Sequence, residues 1–208
     1  MKVLVFINSL VLLVLLALGT EGQEVILIRH AEVILEETGW MGSKKATEQR
    51  AKYDTAPVHQ FIKEDVLKDL PKRITDTVYV SALPRSIATG WKLYGDSVVL
   101  VSMEMLNEFD LHVVELPLFL PLKAWTAISR GLWVLGLKGH DTETSKEGRK
   151  RTKIVADFIE ERSKYNQQII LVTHGFLNRN VTNELKRRGW KIKRNEGRKN
   201  LGANILYK

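Results

Sequence analysis

The chain has 208 residues, a formal net charge of +8 and no cysteine. This length favours one domain with a sizeable core, and the lack of cysteine excludes disulfides, thiolate catalysis and cysteine–zinc sites. The positive charge is concentrated between residues 186 and 199 and would suit nucleic acid, an anionic membrane or small anionic molecules. No zinc-finger spacing and no aromatic-interleaved RNA motif occurs in the sequence, so we expect no nucleic-acid partner.

The first 22 residues have the layout of a signal peptide. A lysine follows the initial methionine, an unbroken apolar run covers residues 10–18, and a small-x-small triplet precedes polar residues. A transmembrane helix needs about 20 apolar residues, and this run is shorter. We therefore predict cleavage between Gly19 and Gln23, export to the periplasm or the medium, and one domain over residues 23–208. An uncleaved N-terminal membrane anchor is the alternative.

Three short apolar runs, at residues 25–28, 78–81 and 169–172, predict buried strands of a parallel sheet. Each run is followed by residues that could carry chemistry, and these are Arg29, His30, Arg85 and His174. Ligands of open α/β sheets bind outside the carboxyl ends of the strands. We therefore expect two arginines and two histidines to meet at one edge of the sheet.

The remaining pattern alternates between strands and helices. Residues 36–45 are predicted to form a loop, and residues 98–101 and 203–207 to form strands. Helices are predicted at residues 56–70, 86–94, 145–165 and 175–188. The segment 108–140 contains several tryptophans and prolines and is predicted to be a partly helical insertion. The fold class is therefore α/β, a three-layer α/β/α arrangement with a mostly parallel central sheet and the insertion over the strand C-terminal edge.

Two converging guanidinium groups favour a multiply charged oxyanion, since arginine binds phosphate bidentately and keeps its charge. Helices that begin after Arg85 and His174 would add backbone N–H groups at the same place. One neutral imidazole could attack phosphorus to form a phosphohistidine. The other could help the arginines to stabilise the charge of the transition state. Such a mechanism needs no metal and no cofactor, because the cationic side chains supply the electrostatic stabilisation.

A leaving alkoxide needs a proton, and Glu108 follows the third predicted strand at a suitable place. It would have to hold that proton in a partly apolar setting, next to Phe109. Asp110 and Glu32 are the competing candidates. Each of these residues alone would have an ordinary structural explanation, and only their joint occurrence favours a site. The three other histidines, at positions 59, 112 and 140, are interpreted as structural or surface residues.

Four ordered segments carry a resemblance to a known family: Arg29-His30-Ala31-Glu32, residues 81–89, Leu106-Asn107-Glu108 and Val172-Thr173-His174-Gly175. Over residues 24–207 the chain resembles the histidine phosphatase (phosphoglycerate mutase-like) superfamily. Residues 139–144 with Arg149 also look like the Gly-Glu-Ser segment of that family and its following arginine. The resemblance implies that residues 23–208 form a histidine phosphatase domain with a three-layer α/β/α fold.

The resemblance also implies roles for the residues. His30 would be the phosphorylated nucleophile, Glu108 the proton donor, and Arg29, Arg85 and His174 the phosphate-binding residues. The sequence departs from the family pattern in three ways. Ala31 stands where glycine is usual, the segment after Glu32 lacks Thr-x-x-Asn, and residues 143–144 keep only part of Glu-Ser. These departures weaken a mutase assignment and leave phosphatase chemistry intact.

The predicted function is therefore an exported, metal-independent phosphomonoesterase that acts through a phosphohistidine on His30. Its substrate would be a phosphorylated small molecule or sugar, and its basic surface would allow weak contact with an anionic membrane. One alternative is a phosphatase for the sugar phosphates of envelope glycolipids. A second is a non-catalytic module that captures phosphate or another anion, and a third is a membrane-tethered protein that holds anionic lipid headgroups.

Overall fold

A six-stranded sheet forms the centre of the protein in the computed structural model, which describes residues 22–36, 39–137 and 142–208. The predicted signal peptide lies outside these residues except for Gly22. The strands within these ranges are β1 (Glu24–Arg29), β2 (Trp40–Met41), β3 (Thr77–Ser81), β4 (Val99–Met103), β5 (Leu120–Pro121), β6 (Gln168–Thr173), β7 (Lys191–Asn195) and β8 (Ala203–Tyr207). The central sheet has the order β4-β3-β6-β1-β8-β7, in which the first four strands are parallel.

The two middle strands, β1 and β6, each contain a run of four buried apolar residues. All six residues of β6 are buried, as expected for a parallel strand covered on both faces. The pairing register places Arg29 opposite Thr173, so the two strands end at the same level. His30 and His174 follow directly, which puts the two imidazoles side by side.

Helices cover both faces of the sheet and its carboxyl edge. Those of the described residues are α1 (Ser43–Thr55), α2 (Lys63–Leu67), α3 (Pro84–Tyr94), α4 (Leu122–Val134), α5 (Ser145–Ser163) and α6 (Gly175–Arg187). Successive residues of a strand point to opposite faces. Accordingly Val25 and Leu27 pack with residues of α5 and α6, while Ile26 and Ile28 pack with residues of α2 and α3. The three-layer prediction is confirmed.

The insertion lies over the carboxyl edge of the parallel strands, as predicted. Its helix α4 packs against α1 and the small antiparallel pair β2–β5. The indole Nε1 of Trp125 on α4 donates a hydrogen bond of 2.8 Å to the Met41 carbonyl. Met41, Ala46 and Val113 complete this separate apolar cluster. The insertion and α1 therefore form one cover.

Two predictions of secondary structure were wrong. The helix predicted at residues 56–70 forms only as the short α2, and Val58 instead bridges Val33 in extended backbone. The main helix of this region is α1, which begins inside the predicted loop. The sequence of α1 has almost no apolar periodicity, and only Ala46 and Gln49 of this helix are buried, so the pattern did not predict it. Strand β7 was also missed, because an edge strand with alternating basic residues carries little apolar signal.

The other helices and the other strands of the central sheet follow the predictions closely, whereas the small pair β2–β5 was not predicted. Helix α3 begins two residues early because Pro84 occupies its first turn, where its missing N–H costs nothing. Helix α5 begins with a capping box formed by Thr144 and Glu147. No helix within the described ranges is long and apolar enough to span a membrane.

The packing of α5 against the insertion gives a test with a matched control. A methyl group on Gly148 would lie 2.8 Å from the Phe109 ring and 2.9 Å from the Trp133 ring. Gly148→Ala should therefore destabilise the protein by about 1 kcal/mol, since overpacking outweighs the gain in helix propensity. Gly131→Ala on α4 meets no atom within 4 Å and should stabilise by up to about 1 kcal/mol. Urea unfolding of both variants measures this, and equal midpoints would contradict the packing described here.

Candidate active site

The two predicted histidines lie in contact at the carboxyl ends of β1 and β6. The backbone N–H of His30 donates to the Thr173 carbonyl at 2.9 Å, which extends the strand pairing by one residue. Their ring centroids are 5.1 Å apart with an interplanar angle of 61°. Both side chains are buried, with relative exposures of 2% for His30 and 1% for His174.

A backbone carbonyl fixes the tautomer of His30. Its Nδ1 lies 2.6 Å from the Ala31 oxygen, and because a carbonyl can only accept, Nδ1 carries the hydrogen. The pKa of His30 falls from 6.5 to about 3, mainly because the ring is buried, and the hydrogen bond to Ala31 opposes this shift. Three cationic groups lower the pKa as well, those of Arg85, Arg29 and Arg50. The ring is therefore neutral at physiological pH, and its Nε2 has a free lone pair.

His174 is fixed through its other nitrogen. Its Nε2 lies 2.8 Å from Ser81 Oγ, and the Ser81 hydroxyl donates its own hydrogen to Asn107 at 2.9 Å. Nε2 therefore donates to Ser81 Oγ, and Ser86 Oγ is a more distant neighbour at 3.4 Å. Nδ1 is a buried atom without a hydrogen-bond partner in the described part of the chain. Burial lowers the pKa of His174 well below 6.5, and the charge of Arg85 adds to this effect. To donate a hydrogen bond from Nδ1 to an anion, His174 must first take up a proton.

Both predicted arginines line the same cavity as the histidines, and each has an N–H group that makes no hydrogen bond in the part of the chain that the structure describes. The stem of Arg29 packs on Gly175, where a Cβ would lie 3.2 Å from Arg29 Cδ, and its guanidinium donates to the Arg198 carbonyl. Arg85, only 1% exposed, donates to Asp54 at 3.0 Å. Burial lowers the pKa of Arg85, while Asp54 opposes that shift. The Nε atoms of both arginines are buried without a partner among the described residues, so each can bind an oxyanion.

Glu108 lies at the site but is engaged in a way that the sequence did not predict. Its Oε1 accepts from the backbone N–H groups of Phe109 and Leu177, and its Oε2 accepts from that of Phe176, each at 3.1 Å. The carboxylate therefore caps the first turn of α6. The expectation that the amino end of this helix faces the bound anion was wrong for these two N–H groups, because Glu108 occupies them.

The two competing acids differ in position. Glu32 lines the same cavity as Glu108. The carboxylate of Asp110 instead accepts from the backbone N–H of Glu143, which follows the insertion, at 3.2 Å. Arg130 holds this segment, since it donates to the carbonyls of Phe109 and Asp110 at 2.8 and 3.2 Å.

A second arginine supports the segment that carries Glu108. Arg151 pairs with Glu143 at 2.6 Å and donates to the Asn107 carbonyl, also at 2.6 Å. Of the segment that resembles Gly-Glu-Ser, residues 139–141 lie outside the described residues, and so does His140. Arg149 is exposed, and it is Arg151 that pairs with Glu143.

All five predicted site residues line one cavity of about 920 Å³. The charged groups around it are mostly cationic. The basic lining residues are Arg29, Arg50, Arg85, Lys123, Arg130, Arg179 and Arg198, and the acidic ones are Glu32, Glu36 and Glu108. This excess of positive charge attracts anions into the cavity. Over the described ranges, no cluster of three or more His, Asp or Glu side chains is arranged to hold a metal ion.

Helix α1 contributes residues that sequence reasoning missed. Arg50, Tyr53 and Asp54 lie on one side of this helix, and Arg50 and Tyr53 line the cavity. Their spacing of i, i+3 and i+4 is the only signal in the sequence, and it has meaning only once the segment is known to be helical. His59, interpreted as structural or surface, also lines the cavity wall.

The comparisons with known proteins identify the fold. No protein-family model matches the sequence, and no curated protein matches it. Among solved structures, a mycobacterial glucosyl-3-phosphoglycerate phosphatase is similar over 80% of both chains, with 17% identity and a TM-score of 0.54. A putative alpha-ribazole-5'-P phosphatase from Escherichia coli is similar over 78% of this chain and 79% of its own, with 18% identity and a TM-score of 0.52.

A phosphoserine phosphatase from Entamoeba histolytica, solved with 3-phosphoglyceric acid, covers 88% of this chain and 89% of its own. It has 17% identity and a TM-score of 0.50. These structures confirm that the chain has the fold predicted from its resemblance to the histidine phosphatase superfamily.

The buried neutral histidines predict a pH dependence of stability. Unfolded histidines take up protons near pH 6.5, whereas the pKa of His30 in the folded protein is about 3. Below pH 6.5 the unfolded chain therefore binds more protons, and the free energy of unfolding should fall with decreasing pH until about pH 3. The slope is about 1.4 kcal/mol per pH unit for each such histidine.

Urea unfolding between pH 8 and 5 measures this slope. His30→Gln should reduce the slope by about one histidine's share, and His112→Gln, at an exposed position, is the control for losing an imidazole. A parent protein whose unfolding free energy stays constant from pH 6.5 to 5 would show that these rings are not held neutral.

Proposed function

We propose that the protein is an exported phosphomonoesterase that forms a phosphohistidine on His30. The observation that carries the proposal is the state of this ring. It is neutral, its Nδ1–H is held by the Ala31 carbonyl, and its Nε2 is free in a cavity lined by guanidinium groups. A nucleophile for phosphorus needs this combination of a lone pair and surrounding positive charge.

In the first step, His30 Nε2 attacks the phosphorus atom and the bond from phosphorus to the ester oxygen breaks. Arg29 and Arg85 bind the equatorial oxygens, on which the charge of the transition state is spread. The leaving alkoxide takes a proton from Glu108, whose Oε2 accepts only one backbone N–H bond within the described residues and keeps a lone pair on which that proton is carried. The Nδ1–H of the phosphorylated ring keeps its hydrogen bond to the Ala31 carbonyl, and this bond stabilises the positive charge that the ring acquires.

In the second step, a water molecule attacks the phosphohistidine from the side that the alcohol has left. The Glu108 carboxylate removes a proton from that water, the bond from phosphorus to Nε2 breaks, and inorganic phosphate is released. His30 returns to its neutral form, and Glu108 is protonated for the next cycle. No step requires a metal ion, because the arginines supply the charge stabilisation.

The cavity supports a phosphorylated small molecule as substrate. Its volume of about 920 Å³ exceeds the size of a phosphate group, and its cationic lining extends beyond the two histidines. The structural neighbours are named for glucosyl-3-phosphoglycerate, alpha-ribazole-5'-P and phosphoserine, all of them phosphorylated small molecules. A sugar phosphate of an envelope glycolipid is a narrower version of the same proposal.

The rival from another class is a module that captures anions without turnover. Capture needs neither a neutral imidazole with a free Nε2 nor an acid in the same cavity, so the presence of both His30 and Glu108 there favours catalysis. Export rests on the signal-peptide pattern of residues 1–22, with cleavage before the domain that begins at residue 23. A membrane-tethered form is excluded if the mature chain is released without detergent.

The first experiment is the release of inorganic phosphate from p-nitrophenyl phosphate by protein that begins at Gln23. We expect activity that persists in excess EDTA and is lost in His30→Ala, since that variant has no nucleophile. A parent-like rate in His30→Ala would refute the phosphohistidine, and loss of activity in EDTA would refute metal independence. If the parent releases no phosphate from p-nitrophenyl phosphate or from phosphorylated sugars, the anion-capture module becomes the better proposal.

A second experiment decides which carboxylate donates the proton. In Glu108→Gln the first turnover of glycerol phosphate should fall by roughly 10²–10⁴-fold, because an alkoxide leaves poorly without a proton. The first burst of p-nitrophenolate should be kept, because that leaving group needs no proton. Glu32→Gln and Asp110→Asn are the matched comparisons, and the same selective loss in either would transfer the role to it.

A further inference from the structure

Helix α1 brings a third arginine to the histidine pair. The Arg50 side chain is 14% exposed and lines the same cavity as His30 and His174. Its guanidinium carbon lies 4.9 Å from the ring centroid of Tyr53, and that ring is in edge contact with His30 at 6.5 Å between centroids. Its positive charge also contributes to the lowered pKa of both histidines. Helix α1 thus places a guanidinium group in the same cavity as the predicted nucleophile.

Most of the hydrogen-bonding capacity of Arg50 is uncommitted. A guanidinium has five N–H donors, and in the described residues Arg50 uses Nη1 for a single hydrogen bond, to Asp54 at 2.8 Å. Residues 31–36, which follow His30 directly, have no side chain with a hydrogen-bond donor when their glutamates are ionised. This segment therefore supplies no side-chain donor to the cavity, whereas Arg50 of α1 does.

Asp54 joins Arg50 to Arg85. One oxygen, Oδ1, accepts from Arg50 at 2.8 Å and from Arg85 at 3.0 Å. Both guanidinium groups also lie over the ring of Tyr53, with their central carbons 4.9 and 5.1 Å from its centroid. The two guanidinium groups carry like charges and repel each other. The Asp54 carboxylate, which both contact, offsets that repulsion and sets their spacing.

We propose that Arg50 is a third phosphate-binding arginine of this site, which donates to the phosphoryl oxygens together with Arg29 and Arg85. Asp54 is the positioning residue that holds Arg50 next to Arg85. The ligand class is the phosphate group of a monoester or free inorganic phosphate. The catalytic part of this proposal rests on the phosphatase function proposed above, and the binding part does not.

The ligand for the test is inorganic phosphate, titrated calorimetrically into the parent chain and its variants, alongside turnover of p-nitrophenyl phosphate. Arg50→Gln should weaken phosphate binding and lower kcat/KM by roughly 10²-fold, the order seen when one preorganised oxyanion donor is removed. Arg50→Lys keeps the charge without the planar fork and should recover part of that loss. Arg162→Gln on α5, where the guanidinium lies over Phe158, makes the same charge change away from the cavity and should alter neither quantity.

A double-mutant cycle tests the positioning role of Asp54. Asp54→Ala should lower phosphate affinity in the parent and have a clearly smaller effect in the Arg50→Gln background. A purely structural role of Asp54 would give the same loss in both backgrounds, and that result would overturn this part of the proposal. Urea midpoints identify any variant that fails to fold, and in that case Arg50→Lys decides the question.

The outcomes separate the two proposals. If Arg50→Gln binds phosphate as well as Arg162→Gln does, Arg50 is not a phosphate ligand, whatever the turnover of the parent. If the parent binds phosphate without turnover and Arg50→Gln loses that binding, the arginine proposal stands and the phosphatase proposal fails. A parent that neither binds phosphate nor turns over a phosphomonoester refutes both.

Discussion

The parallel pairing of β1 with β6 is the interaction on which the whole site depends. Its register puts Arg29 opposite Thr173, and the hydrogen bond from His30 N–H to the Thr173 carbonyl continues that register past the end of the strand. Because side chains alternate between faces along a strand, a slip of one residue would turn His30 away from His174. The buried apolar faces of both strands prevent such a slip, so the hydrophobic core sets the distance between the imidazoles.

The site gathers positive charge that the fold only partly neutralises. Arg85 is almost fully buried and has one carboxylate partner, Asp54, which is 42% exposed. Burying cations with so few negative partners lowers the free energy of unfolding. The arrangement persists because packing on the sheet and the Tyr53 ring hold the guanidinium groups in place. A phosphate dianion would supply the missing negative charge. Uncompensated buried charge of this kind is expected at a functional site and is uncommon elsewhere in a structure.

Sequence reasoning succeeded where a residue type and a burial pattern coincide. The strands that deliver His30, Arg85 and His174 were recognisable because apolar runs end abruptly in polar residues, and the structure brings these side chains together. Helix α1 was missed because a helix that packs mainly through polar side chains shows no apolar stripe. Arg50 and Asp54 were missed with it.

Glu108 shows a different limit of prediction from the sequence. Its presence at the site could be predicted from its place in the chain, but its contacts could not, because the first turn of α6 comes from residues about 70 positions later. A motif identifies a side chain without identifying the backbone groups that surround it. The same holds for Ser81 and Asn107, whose hydrogen bonds set the tautomer of His174 from two other parts of the chain.

Strand β7 has a consequence for how the protein behaves at high concentration. It forms one edge of the central sheet, and its exposed positions include Lys191 and Lys193. An unpaired edge can recruit a strand from another molecule, and lysines along it oppose that addition, since a second copy would bring the same charges. Part of the positive charge in the C-terminal region therefore protects the sheet against edge-to-edge aggregation and does not need an anionic partner to explain it.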